Sequence, residues 1–342
     1  MGHGAGRPGL PGAAACLTAG VTAGVTPTLI VGGYLGAGKT TLVNHLLRHA
    51  GGRRIAVMVN DFGELTIDAD MIEGAEGSVL ALAGGCVCCS FGSDLLGALQ
   101  DVLQRQPQPD LILIETSGVA LPAAVARSAR LLPGLSIDGI VLMLDAETVR
   151  QRSADPYVGD LVRQQLLDAD LLILNKTELC SPTALAELHA WLPTMTTPGT
   201  PVVPANQARV PPELVLGFHA GWDADPEGAT GATDAALARW AAQPIGQPSA
   251  PASDRFVNEL LVLAAPMDPK QLLAALTAPD AGVVRAKGWL TDLTGQRHLL
   301  QLVGRRAELL PLAPDAGPAG ADRLLVIGLV GVYHHGQLLL NK

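Results

Sequence analysis

The sequence predicts an α/β protein with a doubly wound, mostly parallel sheet, followed by a smaller α+β domain. Two observations carry this reading. Short, almost wholly apolar runs recur from Thr28 onward, and helix-length segments separate them. The composition then shifts near Asn206 to Pro, Ala, Gly and Asp before apolar runs resume. Strands that are apolar throughout, without alternation, are buried on both faces, as in a parallel sheet covered by helices.

The expected strands, in order, are Thr28–Gly32, Arg54–Asn60, Ser78–Leu82, Leu111–Glu115, Gly139–Asp145, Leu171–Lys176 and Pro201–Ala205. The expected crossover helices are Thr40–His49, Asp94–Gln104, Pro122–Leu132, Gly159–Leu167 and Pro182–Trp191. Residues 1–27 read as a disordered tail, with a secretion signal as the alternative; Gly and Pro interrupt its apolar stretch, and a start codon placed too early also fits. Residues 28–206 form the first domain, 207–252 a Pro/Ala/Gly-rich linker and 253–342 the second domain. In the latter, "RFVNELLVL", "VVRAKGWL", "HLLQLVG" and "RLLVIGL" read as strands, and a helix follows "MDPKQ".

The chain has 342 residues, 48% of them hydrophobic but only 3% aromatic, so its core is built from Ala, Leu, Val and Ile. With 23 Lys and Arg against 32 Asp and Glu, the net charge is −9. That excludes the basic face of a nucleic-acid binder and docking on an anionic membrane surface. No apolar run reaches the roughly 18 residues of a membrane span. The cysteines are Cys16, Cys86, Cys88, Cys89 and Cys180. An odd, bunched set is a poor disulfide framework and points to a reducing cytoplasm.

One motif carries the chemistry. "GYLGAGKT", from Gly33 to Thr40, is G-x-x-x-x-G-K-[ST] between a buried strand and a helix. Gly33, Gly36, Ala37, Gly38, Lys39, Thr40 and Thr41 are the candidate phosphate-binding residues. Such a loop turns its amides inward around a phosphate, the helix N-terminus adds partial positive charge, Lys39 reaches the outer phosphates and the Thr40 hydroxyl ligates Mg²⁺. This makes the first domain a P-loop NTPase. "LILIETSG" ends its strand in Glu115, beside the phosphate loop, where a carboxylate can organise Mg²⁺ or its water; a plain strand-end acid is the alternative. "NKTEL" offers Asn175, Lys176 and Glu178 for reading a base. The carboxylate would accept from guanine N1–H and the exocyclic amine, and the Lys176 stem would cover the ring, favouring GTP over ATP.

Cys86, Cys88 and Cys89 lie within four residues in "GGCVCCS". Three thiolates from one turn suit Zn²⁺ with a fourth ligand still to be supplied. A redox pair and buried small hydrophobes are the competing readings. His45 and His49, at i and i+4, lack a third ligand nearby and read as ordinary helix residues.

With these stretches together ("GGYLGAGKTTLVNHLL", "VNDFGELTIDADMI", "GGCVCCS", "LILIETSGVALP", "ADLLILNKTEL", "GVVRAKGWL"), the chain resembles the CobW-like GTPases, a family of metal chaperones and metallocofactor-insertion proteins. The resemblance runs through nearly all of the chain after the tail. It implies GTP hydrolysis with Mg²⁺, and a divalent cargo, Zn²⁺ or else Co²⁺, passed to a client metalloprotein docking on the C-terminal domain; a homodimer is also compatible. It places a metal-contacting acid at Glu64. One loop holding Asp61 and Glu64 would then touch both the nucleotide's Mg²⁺ and the thiolate-bound metal, and Lys39, Asp61 and Glu115 are the candidate catalytic residues. Two departures stand out. The acid of the base-reading motif is Glu178 where such families carry Asp, and the eight His are scattered rather than forming a metal-storing stretch. No arginine finger is evident, which predicts slow intrinsic turnover. Two other classes, a small-molecule P-loop kinase and a nucleotide-dependent binding module, stay open, as do cobalt handling for cobalamin and metal insertion into a nitrile-hydrolysing enzyme.

Overall fold

In the computed structural model, residues 25–50, 53–59, 79–83, 93–217, 256–263, 266–278, 280–312 and 322–333 are described, with backbone alone for 79–83 and 93–94. The first domain runs β1 (Thr26–Gly32), α1 (Lys39–Arg48), β2 (Ile55–Val59), β3 (Val79–Ala83), α2 (Ser93–Gln104), β4 (Leu111–Glu115), α3 (Pro122–Ala129), β5 (Leu135–Asp145), α4 (Val149–Ser153), α5 (Gly159–Asp168), β6 (Leu171–Asn175), α6 (Pro182–Met195), β7 (Val202–Pro204) and α7 (Pro212–Leu216). A short 3₁₀ turn, Thr177–Leu179, follows β6.

The seven strands lie in the order β3-β2-β4-β1-β5-β6-β7, and every pairing is parallel. The apolar strands bury both faces. On one face Leu29, Val31, Leu113 and Met143 pack with Leu42 and Leu46 of α1. On the other, Ile30, Ile112, Ile114 and Ile140 pack with Leu99 of α2 and Val125 of α3. Farther along the sheet, Leu142, Leu144, Leu172 and Leu174 meet Leu166 of α5 and Leu192 of α6. The chain order reverses at β1, whose neighbours are β4 and β5. In open α/β sheets a ligand crevice forms outside the carboxyl ends of the strands at such a switch point.

The second domain contains β8 (Phe256–Val262), α8 (Pro269–Leu276), β9 (Val283–Thr291), β10 (Arg297–Val303), β11 (Arg306–Pro311) and β12 (Arg323–Leu329). Its sheet, β11-β10-β9-β12-β8, is antiparallel throughout. Leu272 and Leu276 of α8 cover one face, against Leu290, Leu300, Leu324 and Val326. Phe256, Val303, Leu325 and Ile327 of the sheet belong instead to the core of the first domain. Asp268 caps α8 by accepting from Lys270 N–H at 2.9 Å, and Pro269 occupies its first turn, where its missing N–H costs nothing.

Polar contacts fix the two domains together. Arg285 of β9 pairs with Asp138 of β5, with side-chain exposures of 2% and 1%. Arg306 Nε donates to Asp170 at 2.7 Å, and Arg130 to Glu308 at 3.0 Å. Asp170 also accepts from Ile140 N–H at 3.0 Å, which orients it at the start of β6.

Several boundaries differ from the sequence reading. β1 begins at Thr26, inside the stretch read as tail, because Thr26 N–H donates to Gly134 O at 2.8 Å and β5 starts early, at Leu135. Helix α6 continues through Pro193 to Met195, held by the fully buried Leu192. β11 was not expected. The largest departure concerns 207–252. Its first part, 207–217, is not a loose linker: α7 lies there, and Leu214, Val215 and Leu216 are at most 1% exposed. This segment is wedged between α1 and the C-terminal sheet. His45 Nε2–H donates to Val210 O at 2.7 Å, and Arg285 Nη1 donates to Val215 O at 2.7 Å. A short apolar helix hidden in a Pro- and Ala-rich stretch carries too little periodicity to be recognised alone. Residues 218–252 and the rest of the tail lie outside the described residues.

Candidate nucleotide site

The carboxyl end of β1 leads directly into Gly33. Its φ of +136° lies in the left-handed region, and a Cβ there would stand 2.3 Å from Met143 O. Only glycine lets the loop pass so close to β5. Gly38, at φ +103°, is the residue before α1, and a Cβ on it would lie 2.5 Å from Asn175 Nδ2. Between them Ala37 N–H donates to Tyr34 O at 3.2 Å, closing the turn. The loop thus ends on the N-terminus of α1, where unpaired amides and the helix dipole favour an anion. Lys39 is 5% exposed, and its Nζ donates to Tyr34 O at 3.5 Å, so the ammonium folds back over the loop. Thr41 is exposed on the first turn.

The register of β1 and β4 sets Glu115 opposite Val31. Glu115 is fully buried, and the Thr40 hydroxyl donates to its Oε1 at 2.7 Å. Thr116 and Ser117 follow, 1% and 2% exposed, and neither hydroxyl has a protein partner among the described residues. Gly118 backs onto the phosphate loop: a Cβ on it would meet Leu35 N at 2.7 Å. Gln165 of α5, 1% exposed, donates through Nε2 to Gly118 O at 3.2 Å and Ala120 O at 2.8 Å. It pins the loop that leaves β4.

At the other end of the loop, Asn175 Nδ2 donates to Ala37 O at 3.0 Å and Oδ1 accepts from Ala208 N–H at 2.7 Å. The Asn175 amide therefore joins the phosphate loop to the segment after β7. Lys176, at φ 62°, sends its ammonium to Asp145 Oδ2 at 2.7 Å. Glu178 lies exposed on the 3₁₀ turn beside Asn206.

The tertiary structure thus brings Gly33, Gly36, Ala37, Gly38, Lys39, Thr40, Glu115, Asn175 and Lys176 around the switch point. Asp61, Glu64, Cys86, Cys88 and Cys89 lie outside the described residues. Among the described residues no group of three or more His, Cys, Asp or Glu side chains could hold a metal ion. His45 and His49 direct ring nitrogens to the carbonyls of Val210 and His45, each at 2.7 Å. Cys180 is a free thiol, its pKa raised by burial and then by Glu147, Asp145 and Glu178. Among the described residues, no helix is long and apolar enough to cross a membrane.

Sequence reasoning missed Gln165, Thr116, Ser117, Asp145 and Asn206. A signal existed for Gln165, which interrupts the apolar face of α5 between Val162 and Leu166. Thr116 and Ser117 stood inside the quoted "ETSG" without a role. For Asp145 and Asn206 the partners are distant in sequence, and no local pattern marks them.

The chain is 30% identical over 343 aligned positions to a zinc chaperone CobW of Sinorhizobium sp., covering 91% of this chain and 95% of that protein. It is 35% identical over 225 positions to a zinc chaperone CobW of Pseudomonas aeruginosa, covering 57% and 60%. Among solved structures, it is similar to the Zn(II)-bound YjiA GTPase from E. coli at 21% identity and a TM-score of 0.43, over 89% of this chain and 94% of that one. Residues 260–332 match the cobalamin synthesis protein CobW C-terminal domain. Residues 27–204, just over half of the chain, match the CobW/HypB/UreG nucleotide-binding domain, and the chain belongs to that family.

Proposed function

We propose that this protein is a GTP-hydrolysing metallochaperone that carries a divalent transition metal, zinc before cobalt, and passes it to a client metalloprotein. The observation that carries the hydrolase half is the contact of the Thr40 hydroxyl with Glu115 Oε1 at 2.7 Å beside a glycine cradle. A half-buried hydroxyl and a buried carboxylate are oxygen donors that suit Mg²⁺. Thr40 would hold the ion together with nucleotide oxygens, and Glu115 would hold it or its water. Mg²⁺ when bound neutralises charge on the phosphates. The chain's own contribution is positional. The loop amides and Lys39 stabilise negative charge on the transferring phosphoryl group. Glu115, or Asp61 from the segment after β2, orients the attacking water. Asn175 holds the phosphate loop against the base-reading turn, and Glu178 accepts from the guanine edge.

The metal-carrying half rests on chemistry and kinship. Cys86, Cys88 and Cys89 offer three soft thiolates to a cargo ion, with Glu64 as the added acid, and the relative aligned over 91% of the chain is called a zinc chaperone. Client docking on the C-terminal domain belongs to the same reading.

The test is a Zn²⁺ competition titration of reduced protein against a chromogenic chelator, with Mg²⁺ and either GDP or a non-hydrolysable GTP analogue. One tight site is expected, with different affinities in the two nucleotide states; by linkage, the metal then shifts nucleotide affinity by the same factor. Cys88→Ser should weaken zinc well over tenfold and spare GTP binding, and Lys39→Ala should do the reverse. Zinc binding by Cys88→Ser equal to that of the unmodified chain refutes the cargo site. Equal affinity in both nucleotide states makes the metal structural.

A further inference from the structure

Gln207 and Ala208 have φ values of 51° and 55°, left-handed conformations at two successive residues that are not glycine. They form the centre of a tight turn closed by Arg209 N–H, which donates to Asn206 O at 2.9 Å. Two positive φ values in the middle of a turn are ordinarily supplied by Asn and Gly. A turn this unfavourable persists only where surrounding contacts determine it. Here Asn175 Oδ1 holds Ala208 N–H at 2.7 Å, so the turn is anchored to the same amide that grips the phosphate loop.

Asn206 is the residue this turn positions. The neighbours of its side-chain amide are acceptors, which assigns the nitrogen to that side; in this orientation the nitrogen donates to Glu178 Oε2 at 3.1 Å, with Ala205 O at 3.0 Å and Thr177 Oγ1 at 2.5 Å. Glu178 is exposed, and its side chain has one more rotatable bond than aspartate. An unrestrained glutamate would sweep its carboxylate through several rotamers, and freezing them has an entropic cost. A donor fixed by backbone geometry removes that cost before the ligand arrives.

We infer that Asn206 is a specificity-determining positioning residue: it holds one carboxylate oxygen of Glu178 so that the group meets the donor edge of a guanine base in a fixed orientation. An ionised carboxylate offers about four acceptor positions, so one bond from Asn206 leaves room for two hydrogens from the base. Asn206 acts through Glu178 and does not touch the nucleotide. This explains why a longer acid serves in this chain: the extra methylene is compensated by a partner on the neighbouring turn. The inference rests on the proposed guanine-nucleotide reading of the site.

The experiment uses the full chain with Mg²⁺ and measures Kd for GDP, for inosine diphosphate, whose base lacks the exocyclic amine, and for ADP. The unmodified protein should prefer GDP by about tenfold, the value of one hydrogen bond to a charged acceptor. Asn206→Ala should cut that ratio at least threefold, chiefly through weaker GDP binding. Asn206→Asp keeps the size and turn preference but sets a second carboxylate beside Glu178, and should cut the ratio further. Circular dichroism and thermal melts establish that both variants fold. If both variants weaken the two nucleotides by the same factor, or keep the full preference, Asn206 is a turn residue only and the inference falls alone. If the unmodified chain does not prefer GDP over inosine diphosphate and ADP, the guanine reading fails and the inference fails with it.

Discussion

Replacing Arg285 with methionine tests how the two domains are joined. The substitution strips three acceptors of a donor. Asp138, 1% exposed at its side chain, loses its counter-ion. Val215 O and Leu214 O, at the end of α7, lose donors at 2.7 and 3.4 Å. Leaving a buried charge without its partner costs about 3–5 kcal/mol, and a stranded carbonyl about 1 kcal/mol more. Methionine retains much of the volume, so the cavity contribution is small. The expected loss is about 4–6 kcal/mol, close to the whole stability of many domains. The second half of the experiment is the more discriminating. Asp138 Oδ1 and Arg285 Nε have no protein partner among the described residues, so the pair is incompletely satisfied. Removing both charges, as in Asp138→Leu with Arg285→Met, should therefore restore most of the loss. Urea unfolding read by tryptophan fluorescence serves as the assay, with Trp289 reporting on the C-terminal sheet and Trp191 on α6, each as the sole tryptophan of a variant. A loss below about 1 kcal/mol for Arg285→Met, or a double variant less stable than the single one, refutes a buried, mutually dependent charge pair.

Three further outcomes follow from the geometry. Gly38→Ala forces a Cβ to 2.5 Å from Asn175 Nδ2 at φ +103°, and should lower affinity for a fluorescent guanine nucleotide more than tenfold; Gly36→Ala bears only the backbone strain of φ +76°, with nothing within 4 Å of the added Cβ, and should cost less. His45 has its pKa held below the ordinary 6.5 by burial first, with Val210 O opposing and His49, Arg209 and Arg48 adding to the depression. The unfolded chain therefore takes up the proton first, so stability is full above about 6.5 and falls as pH drops through the histidine range; His45→Gln should flatten that slope in thermal melts taken from pH 5 to 8. Gln165→Leu strands Gly118 O and Ala120 O, and should lower stability by about 1–3 kcal/mol and slow GTP hydrolysis measured by phosphate release, because the loop leaving Glu115 is no longer pinned.

The doubly wound sheet was legible in the sequence because parallel strands buried on both faces leave an unmistakable apolar record. "LILIE" ends as expected at Glu115, and "LLILN" stops one residue short of Lys176, which turns left-handed at φ 62°. The phosphate loop was legible because its chemistry requires Gly, Lys and Thr at fixed spacing within one short segment. The C-terminal domain was read as strands around a helix, but β11 escaped: its residues are only partly buried, and "RAELLP" shows little apolar record.

What the amino-acid order determined by itself was local: which segments bury both faces, where a backbone must curl around a phosphate, and that three cysteines fall within four residues. What only the tertiary structure decided was which distant groups meet. Thr40 and Glu115, Asn175 and Ala208, Arg285 and Asp138, Gln165 and Gly118 are each separated by 33 to 147 positions in the chain. Their partnerships depend on strand order, register and the wedge of α7 between the domains. The physical reason is that hydrophobic periodicity is written into neighbouring residues, whereas a buried hydrogen bond or ion pair is satisfied by whichever group the fold brings within about 3 Å. Apart from Glu115, expected beside the phosphate loop from its place at a strand end, and Gln165, polar on an apolar helix face, the linear sequence does not record that choice.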